Sequence, residues 1–160
     1  MPVPKGYKFD LTRPHEAYPR GLVLTGEIEP DNEYQSQEDR ARNRAVSQRV
    51  DEATGKRMWK GTLTDPSETK PGRASFPVHF VSDVQPVPST EEVLPGMRPV
   101  ELEGLQVQPK VGGQGEFKYL TYEVWATGIK DTRTNRKGST GTSSGSGASS
   151  ANGSQSGAAA

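Results

Sequence analysis

The side chains with the chemistry to hold a ligand are cations and flat rings. From Arg40 to Arg73, nine Lys or Arg stand against four Asp or Glu, a local net charge of +5. Arg42, Arg44, Arg49, Arg57 and Lys60 are the candidates for meeting phosphates, because cations there release the counterions that phosphates hold. Tyr34, Trp59, Tyr119 and Trp125 are the candidates for stacking, since a ring packs on any base without reading it. An arginine can do both, through its guanidinium plane and its donors. The plain alternatives stay open: a solvated charged face for the basic stretch, and a core position for Trp59.

Catalytic chemistry has no comparable support. Asp51, Asp65, Asp83 and His79 fall on different segments. No His-rich metal spacing, nucleophile elbow or phosphate loop is present. The run Gly112-Gly113-Gln114-Gly115 lacks both the lysine and the strand-turn-helix context of a phosphate site. His15 and His79 are far apart and the chain has no cysteine, so neither a metal site nor a thiolate is expected. The reading is a non-enzyme without a cofactor.

These residues must be positioned by strands. Leu120, Tyr122, Val124 and Ala126 alternate with Tyr119, Thr121, Glu123, Trp125 and Thr127, the period of two that marks a strand. The preceding strand starts with Val100 and Leu102 and continues with Leu105 and Val107, out of phase. An extra residue near Glu103-Gly104, as in a β-bulge, returns both pairs to one side. Gly112 to Gly115 is expected to be the loop of this hairpin. The face carrying Tyr119 and Trp125 is either covered by the chain's own arms or an exposed aromatic platform.

Earlier segments repeat the pattern. Gly21–Glu29 places Leu22, Leu24 and Ile28 on one face, with Gly26 at a bend. Val46–Thr64 reads as a second hairpin turning at Asp51–Lys56 and stopped by Asp65-Pro66. Ala74–Val84 sets Phe76, Val78 and Phe80 on one face and His79 on the other. Pro77 predicts a strand start or an edge, because it has no donor. Pro30–Ala45 has no apolar stripe and reads as a loop or marginal helix. Gln85–Pro99, with four prolines, is a crossing segment.

Composition sets the organisation. Lys and Arg number 20 and Asp and Glu number 20, which excludes a strongly basic binder but not a locally basic one. Residues 1–20 hold four prolines and scattered aromatics, an extended arm. Residues 21–130 are the β-domain. Residues 131–160 comprise a basic collar, with Arg133, Arg136 and Lys137, and a Gly/Ser/Ala tail from Gly138 that predicts disorder. The start MPVPKGYKFD has no apolar run and nothing approaches a membrane span, so the cytoplasm is the expected compartment.

Five strand regions, no long helix and one extended connection predict an all-β fold. The best fit is a five-stranded, partly open Greek-key barrel of the oligonucleotide-binding (OB) type; a small β-sandwich is the alternative.

Asp51–Trp59, Pro99–Leu105 and Trp125–Ile129 resemble small uncharacterised proteins of actinobacterial plasmids and conjugative elements, over roughly Leu22 to Ile129. That resemblance implies a setting of replication, recombination or transfer of a mobile element. The general plan, a β-domain followed by a Gly-rich tail, is similar to single-stranded DNA-binding proteins of OB fold. It departs from the bacterial members in its tail, which ends Ser156-Gly157-Ala158-Ala159-Ala160 without their acidic tip. The expected function is a single-stranded DNA-binding accessory protein that self-associates. The alternative is a non-enzymatic protein-interaction or assembly module.

Overall fold

Alternation along the chain becomes strands where each apolar face finds a partner. In a computed structural model, which describes residues 3–131, β1 is Phe9–Asp10, β2 Leu22–Pro30, β3 Met58–Thr64, β4 Ser75–Val81, β5 Met97–Val100, β6 Leu102–Glu103, β7 Gln106–Gln114, β8 Phe117–Ala126 and β9 Gly128–Ile129. Three short helices are α1 (Pro14–Ala17), α2 (Gln37–Ala41) and α3 (Pro71–Ala74). The expected tail from Gly138 and the collar residues Arg133, Arg136 and Lys137 lie outside the described residues. Among the described residues no helix is long and apolar enough to cross a membrane.

The protein is mostly β, as expected, but the strand count differs from the five of the expected partly open barrel. Seven strands form one mixed sheet in the order β1-β7-β8-β4-β3-β2-β5, and β6 pairs with β9 separately. The end strands β1 and β5 do not pair with each other, so the ladder is open. All neighbours are antiparallel except β4 and β8, which run parallel. The expected strand at Val46–Val50 contributes only the bridges Asn32↔Gln48 and Val50↔Arg57.

The core lies on one face of the curved sheet. Leu24, Leu63, Val78 and Phe80 are its fully buried side chains, and Trp59, Val100, Leu102, Leu105 and Val124 join them. Each such side chain contributes about 1.5–3 kcal/mol on burial. Gly61 lies under this packing, where a Cβ would sit 3.3 Å from Ile28 Cγ1 and press the neighbouring side chains outward. Gly26 takes φ +76° where β2 and β3 shift register between Thr25 and Glu29, the bend expected of it.

The phase break between Leu102 and Leu105 is resolved at Gly104. Its φ is +58°, and a Cβ would sit 2.4 Å from Thr127 Oγ1. The chain turns there between β6 and β7, and Val100, Leu102 and Leu105 all become buried. One correction concerns the hairpin itself. Gly112-Gly113-Gln114 is strand rather than loop, since the β7–β8 ladder runs to Gln114↔Phe117 and only Gly115-Glu116 turn. The Tyr119 ring lies against Gly112, where a Cβ would come within 2.9 Å of it; the ring supplies the contact that the glycine lacks.

Pro77 is not a strand start, but it does stand at a local edge, paired with Thr62 of β3 and unpaired on its other side. It sits inside β4, between β3 and β8. Ser82 N–H donates to Arg57 O, so by alternation residues 76, 78 and 80 face β3 while 77, 79 and 81 face β8. Pro77 therefore withholds a donor from β8, and the ladder between them begins at Val78↔Val124. Beyond that point β7 and β8 leave the sheet as a two-stranded ribbon.

Candidate nucleic-acid interface

The register decides which side chains share the face opposite the core. Lys60 lies beside His79, His79 beside Trp125, and Trp125 beside Gln106. Each is one residue out of phase with a buried neighbour: Trp59, Phe80 or Val124. This gives a row running across β3, β4, β8 and β7.

Two rings and a cation form its centre. The His79 and Trp125 rings stack with centroids 4.7 Å apart at 30°. Lys8, from the arm before β1, places Nζ 3.6 Å from the centroid of Trp125. Lys8 Nζ is also 3.6 Å from Asp51 Oδ1, so the arm is pinned to the loop between β2 and β3. Asp31, at the end of β2, is buried and approaches His79 Nδ1 at 4.0 Å, too far for a hydrogen bond. Neither His79 Nδ1 nor Trp125 Nε1 has a hydrogen-bond partner, although both atoms are buried. Burial holds the imidazole below its ordinary pKa, against the opposing pull of Glu123 and Asp31; Lys110 and Lys8 add to the lowering. The ring is held neutral, a flat stacking partner rather than a fixed charge.

The loop from Asp31 to Arg57 flanks this row on one side. Arg49 N–H donates to Asp31 O and Met58 N–H to Arg49 O, which ties the loop to the start of β3. Glu33 N–H donates to Ser47 O, and Gln35 Nε2 to Arg44 O, so Tyr34 and Arg44 share the folded loop. Ser36 caps α2 by accepting from Asp39 N–H. The ribbon flanks the row on the other side. Phe117 and Tyr119 have the same parity on β8 as Trp125 and continue its face outward.

The sequence candidates divide accordingly. Tyr34 is 83% exposed and Tyr119 63%. Arg42, Arg44, Arg49, Arg57 and Lys60 are all exposed. Arg44 is paired with Asp39 at 3.1 Å. Lys60 and Trp125 are brought into one row; Arg49 and Arg57 lie where the loop joins β3; Tyr34, Arg42 and Arg44 lie farther along the loop. Trp59 takes the core alternative. It is buried and its Nε1 donates to Ser82 O at 2.9 Å, which leaves no ring face for a ligand. Sequence reasoning missed Lys8 and the part played by His79. The parity of His79 against Phe80 was a usable signal, whereas nothing local in the sequence brings Lys8 to Trp125.

Comparison with known protein families, curated proteins and solved structures returns no match.

Proposed function

We propose that this chain is an OB-type domain that binds single-stranded DNA across the outer face of β3, β4 and β8. Connectivity supports the fold reading. β2, β3 and β4 form a meander, β4 then runs parallel to β8, and β8 is antiparallel to β7. The segments β5, β6 and β7 are consecutive pieces of one bent path. Its first part pairs with β2 and its last with β8. Counted as one strand, that path gives the five-stranded Greek-key order, with the β6–β9 pair near the seam. In such domains the face of the second and third strands, together with the loops joining strands 1–2 and 4–5, holds oligonucleotides. Here those loops are the Asp31–Arg57 loop and the β7–β8 ribbon.

The observation that carries the function is the row Lys60–His79–Trp125 between these two elements. It supplies rings for stacking, with Tyr119 farther out on the same side and unpaired cations Arg49 and Arg57 at the loop base. Lys8 covers Trp125, so a base must displace it. A cation–π contact of about 0.5–2 kcal/mol is small enough for one stacked base, at about 1–3 kcal/mol, to replace. The resemblance to mobile-element proteins adds the setting of replication, recombination or transfer.

The test is a fluorescence-anisotropy titration of a labelled single strand of about 30 nucleotides and its duplex counterpart, at several salt concentrations. Preference for the single strand, steep weakening with salt, and loss in Trp125→Ala are expected. Absence of binding at low salt overturns the reading. The second reading, a non-enzymatic interaction or assembly module, is favoured by the apolar side chains on the ribbon's other face.

A further inference from the structure

The ribbon has two unlike faces and two unlike edges. Seven rungs, from Gln108↔Glu123 to Gln114↔Phe117, extend past the strands that flank it. One face carries Phe117 and Tyr119 and belongs to the site above. The other carries Val111, Leu120 and Tyr122, which are 72%, 61% and 56% exposed although they share phase with buried Val124. A two-stranded ribbon is marginal in water on its own, and an apolar row of this kind marks a contact surface.

The edges differ in their donors. Leu11 N–H donates to Leu105 O, so residues 105, 107, 109 and 111 of β7 face away from β8. Pro109 then stands on the outer edge of β7 with no N–H to offer, a common guard against edge pairing. On β8 the residues facing outward are 118, 120 and 122, and no proline guards them. The far side of the sheet is covered: Thr90 Oγ1 donates to Pro99 O, and Val93 N–H to Met97 O, along β5. The β8 edge from Phe117 to Glu123 is thus a long open edge without a proline.

The geometry points to a second copy of this chain as its occupant, with the two β8 edges paired antiparallel about Leu120. Directly opposed residues must share a face, so Leu120 meets Leu120 of the other copy, Lys118 meets Tyr122, and Phe117 meets Glu123. No like charges oppose in this register. A shift that centres Lys118 sets two lysines against each other. Beside Tyr122 opens a groove of about 1000 Å³ whose wall carries Asp65 and Glu68, together with Arg73. The incoming Lys118 arrives on that side, a cation toward two carboxylates and one guanidinium. Because the same β8 edge is used by both copies about a two-fold axis, the contact is isologous and closes at two copies. The resulting four-stranded sheet joins both apolar rows. It also leaves the Trp125 face free, so the proposal does not depend on nucleic-acid binding.

The chain has no cysteine, which makes single-cysteine crosslinking clean. Leu120→Cys is expected to give a covalent dimer on mild oxidation, and Val111→Cys, two copies of which would lie about 14 Å apart across four strands, is expected to give none. Sedimentation of the full chain without nucleic acid, up to about 100 µM, should show a two-copy mass. Leu120→Pro, which guards the β8 edge as Pro109 guards that of β7, should show one copy with a cooperative thermal transition retained. A single-copy mass for the native chain at every concentration overturns the proposal. So does a dimer unaffected by Leu120→Pro, a dimer formed only when single-stranded DNA is added, or equal crosslinking at positions 111 and 120. If Leu120→Pro fails to fold, the two cysteine variants decide.

Discussion

Trp59 and Trp125 lie on neighbouring parts of one sheet and behave as different residues. Trp59 shares its face with Leu63, is enclosed by the core, and satisfies its indole with the Ser82 carbonyl. Trp125 lies on the other face, is half-buried, rests on His79 under Lys8, and leaves its indole nitrogen without a partner. The same side chain becomes structure or surface according to which parity of the strand meets the core. An unpaired buried N–H costs about 1–3 kcal/mol, a cost carried at Trp125 on the outer face and avoided at Trp59 in the core.

The largest expected effect separates the two tryptophans by stability. Trp59→Ala should lower unfolding free energy by about 3–5 kcal/mol, read by chemical denaturation, and Trp125→Ala by much less. Equal losses would erase the distinction between the two faces. The next effect reverses the order. Trp125→Ala should weaken single-strand binding by about 1–3 kcal/mol, or roughly 5- to 150-fold, whereas Tyr119→Ala, farther along the ribbon, should cost less. A folded Trp125→Ala protein with native affinity would remove Trp125 from the site.

Smaller effects test the surroundings of Trp125. Arg49→Ala and Arg57→Ala should each reduce the slope of log affinity against log salt by about 0.7 if each meets one phosphate. Unchanged slopes would return those cations to a solvated surface. The smallest effect is the pH dependence of His79. Burial lowers its folded-state pKa below the ordinary value of 6.5, so the unfolded chain binds the proton more readily. Its contribution to stability is complete above that value and is lost as pH falls through the folded pKa. Stability curves of the native chain and His79→Gln should converge across that acid window; parallel curves would mean that the imidazole does not feel the site.

Much of the fold was legible in the residues themselves. Alternation placed β2, β4 and β8, and the phase break between Leu102 and Leu105 pointed to an irregularity at Glu103-Gly104, read as a β-bulge and found as a turn at Gly104 with φ +58°. The opposite parity of Phe80 and His79 already put the histidine outside the core. The glycines of β7 were misread because their place in a strand depends on Tyr119, seven residues away from Gly112 and opposite it only after pairing. Pro77 was legible as an edge residue, and the structure makes that edge a local one, on the side where β8 has parted from β4.

By itself the sequence determined which residues share a face of each strand, since the pleat alternates side chains with a fixed period. It also determined that no helix-based architecture could bury these apolar residues. Only the tertiary structure decided which of the two faces is covered and where the cover stops. Leu120 and Tyr122 follow the phase of Val124, yet they stand in solvent because β4 loses its ladder with β8 at Pro77. Lys8 reaches Trp125 because β1 pairs with β7, nearly a hundred residues later in the chain. Contacts of that range depend on how far neighbouring strands extend, and local pattern carries no record of it.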